Sequence, residues 1–453
     1  MGLRFGTDGV RGVAGTELTP ELVLALGRAA ARVLCGTGTA VHDRPRLAVA
    51  RDTRRSGPLL EAAFAAGVAA EGVEVDLLGV LPTPGLARVA ASEGIAAAMV
   101  SASHNSFADN GIKLFGTGGA KLEAATERAL EAVLDEIRAT GPGEGRSGGA
   151  LGTVTERDAA SAAYVDALAA AFPPRCLEGL VVVVDCANGA ASAVAPAALS
   201  RLGAWVEVLA AEPDGTNIND RCGSTHPEAL AEAVLAAGAD VGLALDGDAD
   251  RVLAVDADGT LVDGDQLIAL FADDLRAKGL LRHDAVAVTV MSNLGLRLAL
   301  DRKGIEVVET PVGDKHVLEA MQARGLSLGG EQSGHIIFSD HAATGDGTFT
   351  GIALVDLIAR SGHTLAELAG EAMDRLPQVL RNVTVGDRDG LADAAPVWDA
   401  VAEVEAELGS TGRVLLRTSG TEPLVRVMVE APTEALAASA ADRLVGVVSE
   451  TLA

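Results

Sequence analysis

Residues 46–84, RLAVARDTRRSGPLLEAAFAAGVAAEGVEVDLLGVLPTP, contain the unit that decides the fold. An apolar strand at 46–50 is followed by a polar loop at 51–57 and by an Ala- and Leu-rich helix that begins near Leu59. Gly72 precedes a second strand, and a short helix and a third strand at 95–100 complete the unit. Strands that alternate with helices of about ten residues are typical of α/β domains with mostly parallel strands.

The same pattern recurs twice more along the chain. The second copy has strands at 180–184, 204–209 and 241–245, and the third has strands at 285–290, 305–309 and 326–328. Helices are expected near 190–202, 227–238, 294–304 and 317–325. A glycine precedes the second strand of each copy, which fits the end of a helix: Gly72, Gly203 and Gly304.

The remaining C-terminal residues break this pattern. From about residue 372 the sequence reads as a strand, a helix, a hairpin and a final helix at 434–452. We therefore predict three similar α/β domains with mixed, mostly parallel sheets, and a smaller C-terminal α+β domain, around a central cleft. The predicted boundaries are 1–152, 153–257, 258–371 and 372–453. Because the three copies agree in pattern and not in identity, three unrelated α/β segments remain the alternative.

The composition restricts the partners. The 453 residues carry a net charge of −27 and only 2% aromatic residues, so nucleic acid and anionic membranes are repelled and bases find few stacking platforms. Four cysteines without CxxC spacing, no apolar signal segment and no uncharged apolar run of about 18 residues favour a cytoplasmic location. We expect neither nucleic acid nor membrane as a partner.

Chemistry-bearing residues follow the third strand of every copy. The three loops read SASHN at 101–105, DGDADR at 246–251 and GEQSGH at 330–335. Ligands of open α/β sheets gather outside the carboxyl ends of the strands. The three loops therefore predict one shared cleft with three different chemistries.

The second loop predicts a metal site. Asp246, Asp248 and Asp250 alternate after an apolar strand, and alternate side chains of an extended chain share a face. Three such carboxylates repel one another unless a cation lies among them, and hard oxygen ligands favour Mg²⁺ or Ca²⁺. An EF-hand is excluded, because Arg251 and Ala257 stand where that loop needs Gly and Glu. A solvated acidic turn is the alternative.

The first loop offers a nucleophile. Ser103 follows a buried-looking strand, and a serine hydroxyl needs a base or a metal to react. The absence of a GxSxG motif disfavours a hydrolase triad. Lys113, in DNGIKLFG, could move protons if its pKa were lowered. Taken singly, Ser103, His104 and Lys113 also fit a turn hydroxyl, a local hydrogen bonder and a surface charge.

The third loop and two further segments suit a phosphosugar. Glu331, Ser333 and His335 can hydrogen-bond sugar hydroxyls. The segment 417–423, RTSGTEP, combines an Arg fork, hydroxyls and Gly as in an anion nest, with a plain β-turn as the alternative. The N-terminal FGTDGVRG adds Thr7 and Arg11 as phosphate ligands.

Taken together, five motifs resemble one family. FGTDGVRG, SASHN followed by DNGIKLFG, DGDADR, GEQSGH and RTSGTEP occur in the order seen in bacterial phosphoglucosamine mutases, of the α-D-phosphohexomutase superfamily. The resemblance extends from residue 5 to about residue 430. It implies an isomerase that interconverts glucosamine 6-phosphate and glucosamine 1-phosphate through a phosphoserine and a 1,6-bisphosphate. Such an enzyme feeds the synthesis of UDP-N-acetylglucosamine and peptidoglycan precursors.

The resemblance also implies roles for residues. Ser103 would carry the activating phosphoryl group, Arg251 would steady the transferring phosphate, and Lys113 would aid proton transfer, with His104 beside the nucleophile. One Mg²⁺ per chain would be held by Ser103, Asp246, Asp248 and Asp250. Glu331 and Ser333 would bind sugar hydroxyls, with His335 close by. The phosphate that is not reacting would be held by Arg417, Ser419, Gly420, Thr421 and Arg426.

Two pairs of residues depart from the family pattern. Rival functions are also open. Ser106-Phe107 and Lys315-His316 stand where the family often has Pro-Tyr or Pro-Phe, and Arg-Tyr. A phosphoglucomutase or phosphomannomutase would use the same machinery, an aspartyl-phosphate phosphatase would use the Asp-x-Asp pair, and a phosphosugar sensor would bind without turnover. We expect a monomer or a homodimer, and a phosphosugar bound where four basic residues meet: Arg11, Lys113, Arg251 and Arg417.

Overall fold

The structure is a computed structural model that describes residues 9–36, 44–141, 143, 145–418 and 423–452. The chain divides into two compact units, one of Met1–Val290 with Val308–Ala369 and one of Met291–Val307 with Gly370–Ala453. Each of the three predicted α/β repeats has a sheet of its own, and the C-terminal residues form a fourth sheet.

The first sheet has six strands in the order β1-β5-β4-β2-β3-β6. They are β1 (Val10–Val13), β2 (Arg46–Arg51), β3 (Glu74–Val80), β4 (Ala96–Val100), β5 (Asp109–Phe115) and β6 (Val154–Glu156). The helices of this region are α1 (Pro20–Leu34), α2 (Gly57–Ala70), α3 (Thr83–Glu93), α4 (Ala124–Thr140) and α5 (Ala160–Ala170). β2, β3 and β4 are parallel, and β5 is antiparallel to both of its neighbours.

The second sheet has the order β11-β10-β9-β7-β8. Its strands are β7 (Val181–Asp185), β8 (Trp205–Leu209), β9 (Val241–Leu245), β10 (Val252–Asp256) and β11 (Leu261–Val262), with helices α6 (Val194–Arg201) and α7 (Glu228–Ala237). Again three strands are parallel, and the next strand along the chain, β10, turns back beside β9.

The third sheet has the order β13-β12-β14-β15. Its strands are β12 (Ala285–Thr289), β13 (Glu306–Thr310), β14 (Leu328–Gly330) and β15 (Ile336–Phe338). The helices from this part of the chain are α8 (Gly264–Ala277), α9 (Leu294–Arg302), α10 (Asp314–Arg324), α11 (Gly347–Ser361) and α12 (Leu365–Ala372). The residues of α9 belong to the second unit.

The second unit carries the fourth sheet, which is antiparallel in the order β16-β18-β17. Its elements are β16 (Gln378–Thr384), α13 (Ala395–Leu408), β17 (Arg413–Thr418), β18 (Leu424–Glu430) and α14 (Glu434–Thr451). This is the predicted succession of strand, helix, hairpin and helix. Its own core, which includes Val397, Val427 and Leu444, lies between the sheet and the two helices.

The predicted repeat is confirmed by strand order. In each α/β sheet the third strand of the unit lies beside the first, the first lies beside the second, and the following strand is antiparallel to the third. Gly72, Gly203 and Gly304 all have positive φ, as expected for residues that end a helix before a strand.

One strand of the third repeat was misplaced by the sequence pattern. The segment 326–328 was expected to be a strand, but β14 begins at Leu328 and continues to Gly330. The Leu326 amide instead donates to the Met321 carbonyl at 2.9 Å and closes the end of α10, after Gly325 in the left-handed conformation. Leu326 therefore belongs to the end of α10, and of the expected strand only Leu328 lies in the sheet.

Within the described part of the chain, every helix is too short or too polar to cross a lipid bilayer. The four cysteines are free thiols, of which Cys186 and Cys222 are buried.

Candidate active site

The nucleophile candidate lies in the turn between β4 and β5. Ser103 is 1% exposed and has a φ of 52°, a left-handed conformation that residues other than Gly adopt rarely. Its hydroxyl donates a hydrogen bond to Asp246 Oδ2 at 2.6 Å, and its amide donates to Ser101 Oγ at 2.9 Å. The structure thus joins the first and second predicted loops at Ser103.

The three aspartates converge, although not for the reason that their spacing suggested. The segment after β9 is a turn, not an extended chain, because Ala249 has a φ of 56° and donates its amide hydrogen to the Asp246 carbonyl. Asp246, Asp248 and Asp250 are all buried, and one carboxylate oxygen from each lies within 4.8 Å of the others. The turn brings all three carboxylates inward, so a solvated acidic turn is not what forms here.

The free oxygens of this cluster fit a cation. Asp248 Oδ1 is buried without a hydrogen-bond partner among the described residues, and Asp250 Oδ1 has His335 Nδ1 at 3.6 Å and Arg251 Nε at 3.8 Å, beyond hydrogen-bond distance. Such carboxylate oxygens are costly to bury unless positive charge compensates them. Burial and the neighbouring charges of Asp250 and Asp248 raise the pKa of Asp246 well above its usual value. The residues present therefore suit a hard divalent cation.

Lys113 supplies a positive charge to the same cluster. It lies on β5, and its Nζ donates to Asp248 Oδ2 at 2.7 Å and to Asp250 Oδ2 at 3.2 Å. Burial favours the neutral acid, but Lys113, His335 and Arg251 hold the pKa of Asp250 well below its usual range. Lys113 is therefore buried beside the nucleophile loop and is not a surface charge.

His104 lies between the nucleophile and two arginines. Its Nδ1 is 3.4 Å from Ser103 Oγ. Burial, followed by the positive charges of Arg251 and Arg11, lowers the pKa of His104 to about 4. The imidazole is therefore neutral near pH 7.

The third predicted loop packs directly on residues 246–252, which are called the metal loop below. Gly334 has a φ of 88°, and a Cβ atom there would lie 2.1 Å from the Val252 carbonyl oxygen, so only Gly allows this approach. The Gly334 carbonyl accepts from the Val252 amide at 3.1 Å. Ser333 Oγ is buried and has no hydrogen-bond partner among the described residues. Glu331 Oε1 accepts from the Gly313 amide at 3.1 Å.

His335 is held between two acidic residues. The Gly345 amide donates to its Nε2 at 3.0 Å, while Asp250 Oδ1 lies 3.6 Å from its Nδ1. Asp314 Oδ2 lies 3.6 Å from Nε2. Burial by itself lowers the pKa of His335, but Asp250, Asp314 and Glu331 raise it above its ordinary value.

Four contacts of the site were missed from the sequence. Thr83 Oγ1 donates to Asp248 Oδ2 at 2.6 Å, Asp314 faces His335, and Arg54 and Asn219 donate to backbone carbonyls of the Ser103 loop. Thr83 and Arg54 do have a signal, because the polar segments RDTRR and PTP follow the ends of β2 and β3. Asp314 has the same kind of signal, because it lies four residues after the end of β13, whereas Asn219 lies ten residues after the end of β8.

The second unit holds two of the predicted phosphate ligands. Arg417 on β17 and Arg426 on β18 are directly opposite each other across the hairpin. Burial and the charge of Arg426 lower the pKa of Arg417. Like charges in opposed positions destabilise a sheet, and a bound anion would relieve them. Thr7, Ser419, Gly420 and Thr421 lie outside the described residues.

Arg11, Lys113 and Arg251 all contribute to the electrostatics of the Ser103 and aspartate loops. That Arg417 joins them in one cleft stays a prediction.

The chain matches a family model in each of four segments. The matched descriptions are phosphoglucomutase/phosphomannomutase alpha/beta/alpha domain I at residues 2–140, domain II at 162–259, domain III at 263–376 and the C-terminal domain at 380–447. The predicted boundaries themselves stay a prediction.

Relatives named phosphoglucosamine mutase match over the full length. One from Streptomyces avermitilis is 52% identical over 453 residues, which are 100% of both chains. Another, from Mycolicibacterium vanbaalenii, is 53% identical over 451 residues, which are 99% of each chain.

Solved structures share the fold. A phosphoglucomutase/phosphomannomutase family protein from Burkholderia thailandensis has a TM-score of 0.79 and 26% identity, over 99% of this chain and 98% of that one. The N-acetylphosphoglucosamine mutase of Aspergillus fumigatus, crystallised with GlcNAc-6P and magnesium, has a TM-score of 0.68 over 100% and 96% of the two chains. At 19% identity, this second likeness concerns the fold alone.

Proposed function

Because the chain belongs to the phosphoglucomutase/phosphomannomutase family of the phosphohexomutase superfamily, we propose that it is a phosphoglucosamine mutase. In this proposal it interconverts glucosamine 6-phosphate and glucosamine 1-phosphate through a phosphoserine and a sugar 1,6-bisphosphate. It thereby supplies the precursor of UDP-N-acetylglucosamine in the cytoplasm.

The observation that carries the proposal is the hydrogen bond from Ser103 Oγ to Asp246 Oδ2. It places a buried hydroxyl against three carboxylates, beside a lysine and a neutral histidine. A phosphatase of the Asp-x-Asp type has no need of a serine at this position. A family of mutases with an obligate phosphoserine does need one.

The residues around Ser103 would carry out the transfer as follows. The phosphoryl group moves from Ser103 Oγ to the 1-hydroxyl oxygen of glucosamine 6-phosphate. That hydroxyl gives up its proton, and Ser103 Oγ, whose bond to phosphorus breaks, gains one. Lys113 is proposed to aid this proton transfer, and His104 Nδ1 lies near enough to Ser103 Oγ to exchange a proton with it. Arg251 neutralises charge on the transferring group.

Mg²⁺ would be held by Asp246, Asp248, Asp250 and a phosphate oxygen on Ser103. When it is bound, the cation supplies positive charge next to the phosphoryl group. Asp248 Oδ1, which is buried and has no hydrogen-bond partner in the part of the chain that the structure describes, supports this assignment.

The second half of the reaction restores the enzyme. The 1,6-bisphosphate reorients, its 6-phosphoryl group returns to Ser103 Oγ, and the oxygen at position 6 recovers a proton as glucosamine 1-phosphate leaves. Glu331, Ser333 and His335 are proposed to hold the sugar in both orientations. Thr7, Arg11, Arg417, Ser419, Gly420, Thr421 and Arg426 are proposed to bind the phosphates.

The alternative within the family is a phosphoglucomutase or phosphomannomutase. The matched domain descriptions include both activities, so a specific observation keeps this alternative in view. The full-length relatives at 52–53% identity favour the glucosamine substrate.

Substitution of the nucleophile tests the proposal. Purified wild-type protein, Ser103→Ala and Ser92→Ala are assayed with Mg²⁺, a trace of sugar 1,6-bisphosphate and glucosamine 6-phosphate, in parallel with the glucose and mannose phosphates. We expect Ser103→Ala to lose at least about 10⁴-fold in kcat, since no other hydroxyl can replace a covalent nucleophile. Ser92 lies at the exposed end of α3, where its hydroxyl bonds only the Val89 carbonyl, and its substitution should change nothing.

Intact mass of the same samples should show one phosphoryl group on wild-type protein and on Ser92→Ala, but none on Ser103→Ala. Undiminished turnover by Ser103→Ala would overturn the proposed function. A higher kcat/KM for glucose or mannose phosphates than for glucosamine 6-phosphate would favour the alternative.

A further inference from the structure

We propose that Arg54 and Asn219 are positioning residues that hold the Ser103 turn in its reactive conformation by binding the same two backbone carbonyls. The residues of this turn, 101–109, are called the Ser103 turn below. The inference deepens the proposed function and rests on Ser103 as the phosphoryl carrier. Both residues act through the turn.

Arg54 lies entirely beneath the Ser103 turn. Its side chain is 0% exposed, and its charge is balanced by Asp52, whose Oδ2 accepts from Arg54 Nε at 2.8 Å. Arg54 Nη2 donates to the Ser103 and Asn105 carbonyls, both at 2.9 Å. Nη1 donates to the Ser106 carbonyl and, at 3.1 Å, to the Asp109 carbonyl. A single guanidinium thus binds four carbonyls of one turn.

Asn219 binds the same turn and lies in the segment that connects β8 and β9 of the second sheet. Its Nδ2 donates to the Ser103 carbonyl at 2.8 Å and to the Asn105 carbonyl at 2.9 Å. Asn219 is 8% exposed, and its own amide donates to the Ala187 carbonyl at 2.9 Å. The two carbonyls that Arg54 binds therefore each receive a second donor from a residue 165 positions further along the chain.

These donors explain how the turn can hold an unfavourable conformation. Ser103 has a left-handed φ of 52° and is buried. Without donors, the Ser103 carbonyl would be buried and unsatisfied, and the half-buried Asn105 carbonyl would lose both side-chain partners. Removal of a donor should therefore let the turn relax toward a more common backbone conformation, which would rotate the Ser103 hydroxyl away from Asp246.

Asn219 also sets the distance between the nucleophile and the aspartates. A Cβ atom at Gly247 would lie 2.6 Å from the Ser103 carbonyl oxygen and 3.0 Å from Asn219 Nδ2. The metal loop, the Ser103 turn and the Asn219 carboxamide are thus in mutual contact. A shift of about 1 Å in such an arrangement can cost about 10²-fold in rate.

The N–H groups of both side chains are already bound to other groups of the protein. Both donor positions of the Asn219 amide face carbonyls, and Arg54 uses Nε, Nη1 and Nη2 within the protein. Because these N–H groups bind the Ser103 turn, their loss should lower kcat and leave KM for the phosphosugar nearly unchanged.

The central test compares two substitutions of Asn219 with a matched control. Asn219→Ala removes the donor, and Asn219→Asp keeps the shape but turns a carboxylate toward two carbonyl oxygens. We expect kcat to fall about 10-fold in the first and about 100-fold in the second, with KM within twofold of wild type. Asn217→Ala is the control, because Asn217 lies in the same loop but bonds only residues 212 and 214 through its side chain.

Arg54 provides the second variant. Arg54→Lys keeps the charge beside Asp52, but one ammonium group cannot bind four carbonyls. The lysine should therefore not replace the arginine, and kcat should fall at least 10-fold. Hydrogen exchange of a peptide spanning 101–110 should rise in Arg54→Lys and Asn219→Ala and stay at the wild-type level in Asn217→Ala. This measurement does not depend on activity and stands even where Arg54→Lys lowers the stability.

The outcomes separate this inference from the proposed function. Equal losses of kcat in Asn219→Ala and Asn217→Ala, or a rise in KM with unchanged kcat, would overturn the positioning role. If wild-type protein neither turns over phosphosugars nor accepts a phosphoryl group, the proposed function fails. Hydrogen exchange of the 101–110 peptide then tests the positioning role by itself. Exchange in Asn219→Ala at the wild-type level would overturn that role.

Discussion

At the scale of single residues, the site depends on polar groups whose partners lie far away in sequence. Ser103 and Asp246 are 143 positions apart and share a hydrogen bond of 2.6 Å. The repeated unit predicted that both belong to one site, because the loops that carry them follow the third strand of two copies. The groups that hold them, Arg54, Thr83 and Asn219, are ordinary polar residues in the sequence and gain their meaning from the carbonyl or carboxylate they contact.

Tyr164 offers a clean residue-scale prediction, because it is the only tyrosine of the chain. Its hydroxyl is buried and donates to Asp346 Oδ2 at 2.7 Å. Burial, followed by the charge of Asp346, raises the pKa of Tyr164 well above the usual 10. The folded protein thus keeps a proton that the unfolded chain loses above pH 10, so this residue makes stability fall as pH rises through that range.

We expect no tyrosinate absorbance from the folded protein at pH 10 to 11, and its appearance only together with loss of the far-ultraviolet circular dichroism signal. Tyr164→Phe removes the absorbance change and should lose stability less steeply with rising pH. A tyrosinate band at pH 10 in protein with native circular dichroism would contradict the assigned pKa direction.

At the scale of elements, three loops are brought together because each follows the same strand of a repeated unit. β4, β9 and β14 all lie at the same place in their sheets, next to the first strand of the unit. The loops after them carry Ser103, the aspartates and Glu331 with His335. Close backbone approaches then lock the loops together, as where Gly334 lies on the Val252 carbonyl.

An ion pair between α4 and α10 gives the element-scale prediction. Lys315 Nζ lies 2.6 Å from Glu127 Oε2, with the two side chains 10% and 22% exposed, and Lys121 pairs with Asp314 beside it. A pair this far removed from water is worth more than the 0–1 kcal/mol of surface pairs. Glu127→Ala, Lys315→Ala and the double variant should give a coupling energy of about 1 to 2 kcal/mol in urea unfolding.

The control for this cycle is the exposed pair of Arg175 and Glu178, with side chains 68% and 60% exposed, which should show a coupling near zero. Equal coupling energies for the two pairs would show that the α4–α10 contact is no stronger than a surface pair. Lys315 is one of the two departures from the family pattern, and its amine is bound to Glu127.

At the scale of the whole molecule, the net negative charge lowers the stability of the fold but does not prevent the protein from binding a small anion. A net charge of −27 on 453 residues produces self-repulsion, while the basic residues near the Ser103 turn create a local field of opposite sign. An acidic protein can therefore bind a small anion at one place. Salt acts mainly on the repulsion, because exposed charges further apart than about 10 Å are screened at 0.1 M.

We therefore expect Tm to rise by a few degrees when NaCl increases from about 0.01 to 0.15 M in the presence of a chelator, as measured by scanning calorimetry. The chelator prevents a bound divalent cation from contributing. KCl should have the same effect as NaCl, since the mechanism is screening. A fall in Tm over this range would mean that attractive ion pairs outweigh the self-repulsion.

The sequence alone determined the secondary-structure order, the threefold repeat, the strand, helix, hairpin and helix of the C-terminal segment, and the residue types in the three loops. These follow from local information, namely apolar periodicity, helix-ending glycines and clusters of polar residues after strands. The tertiary structure alone decided how the aspartates converge, through a turn with Ala249 at positive φ and not through an extended strand. It also decided that Arg54 and Asn219 share two carbonyls. Such contacts depend on how loops from different sheets meet, and no local pattern encodes a hydrogen bond between side chains and backbone atoms many residues apart.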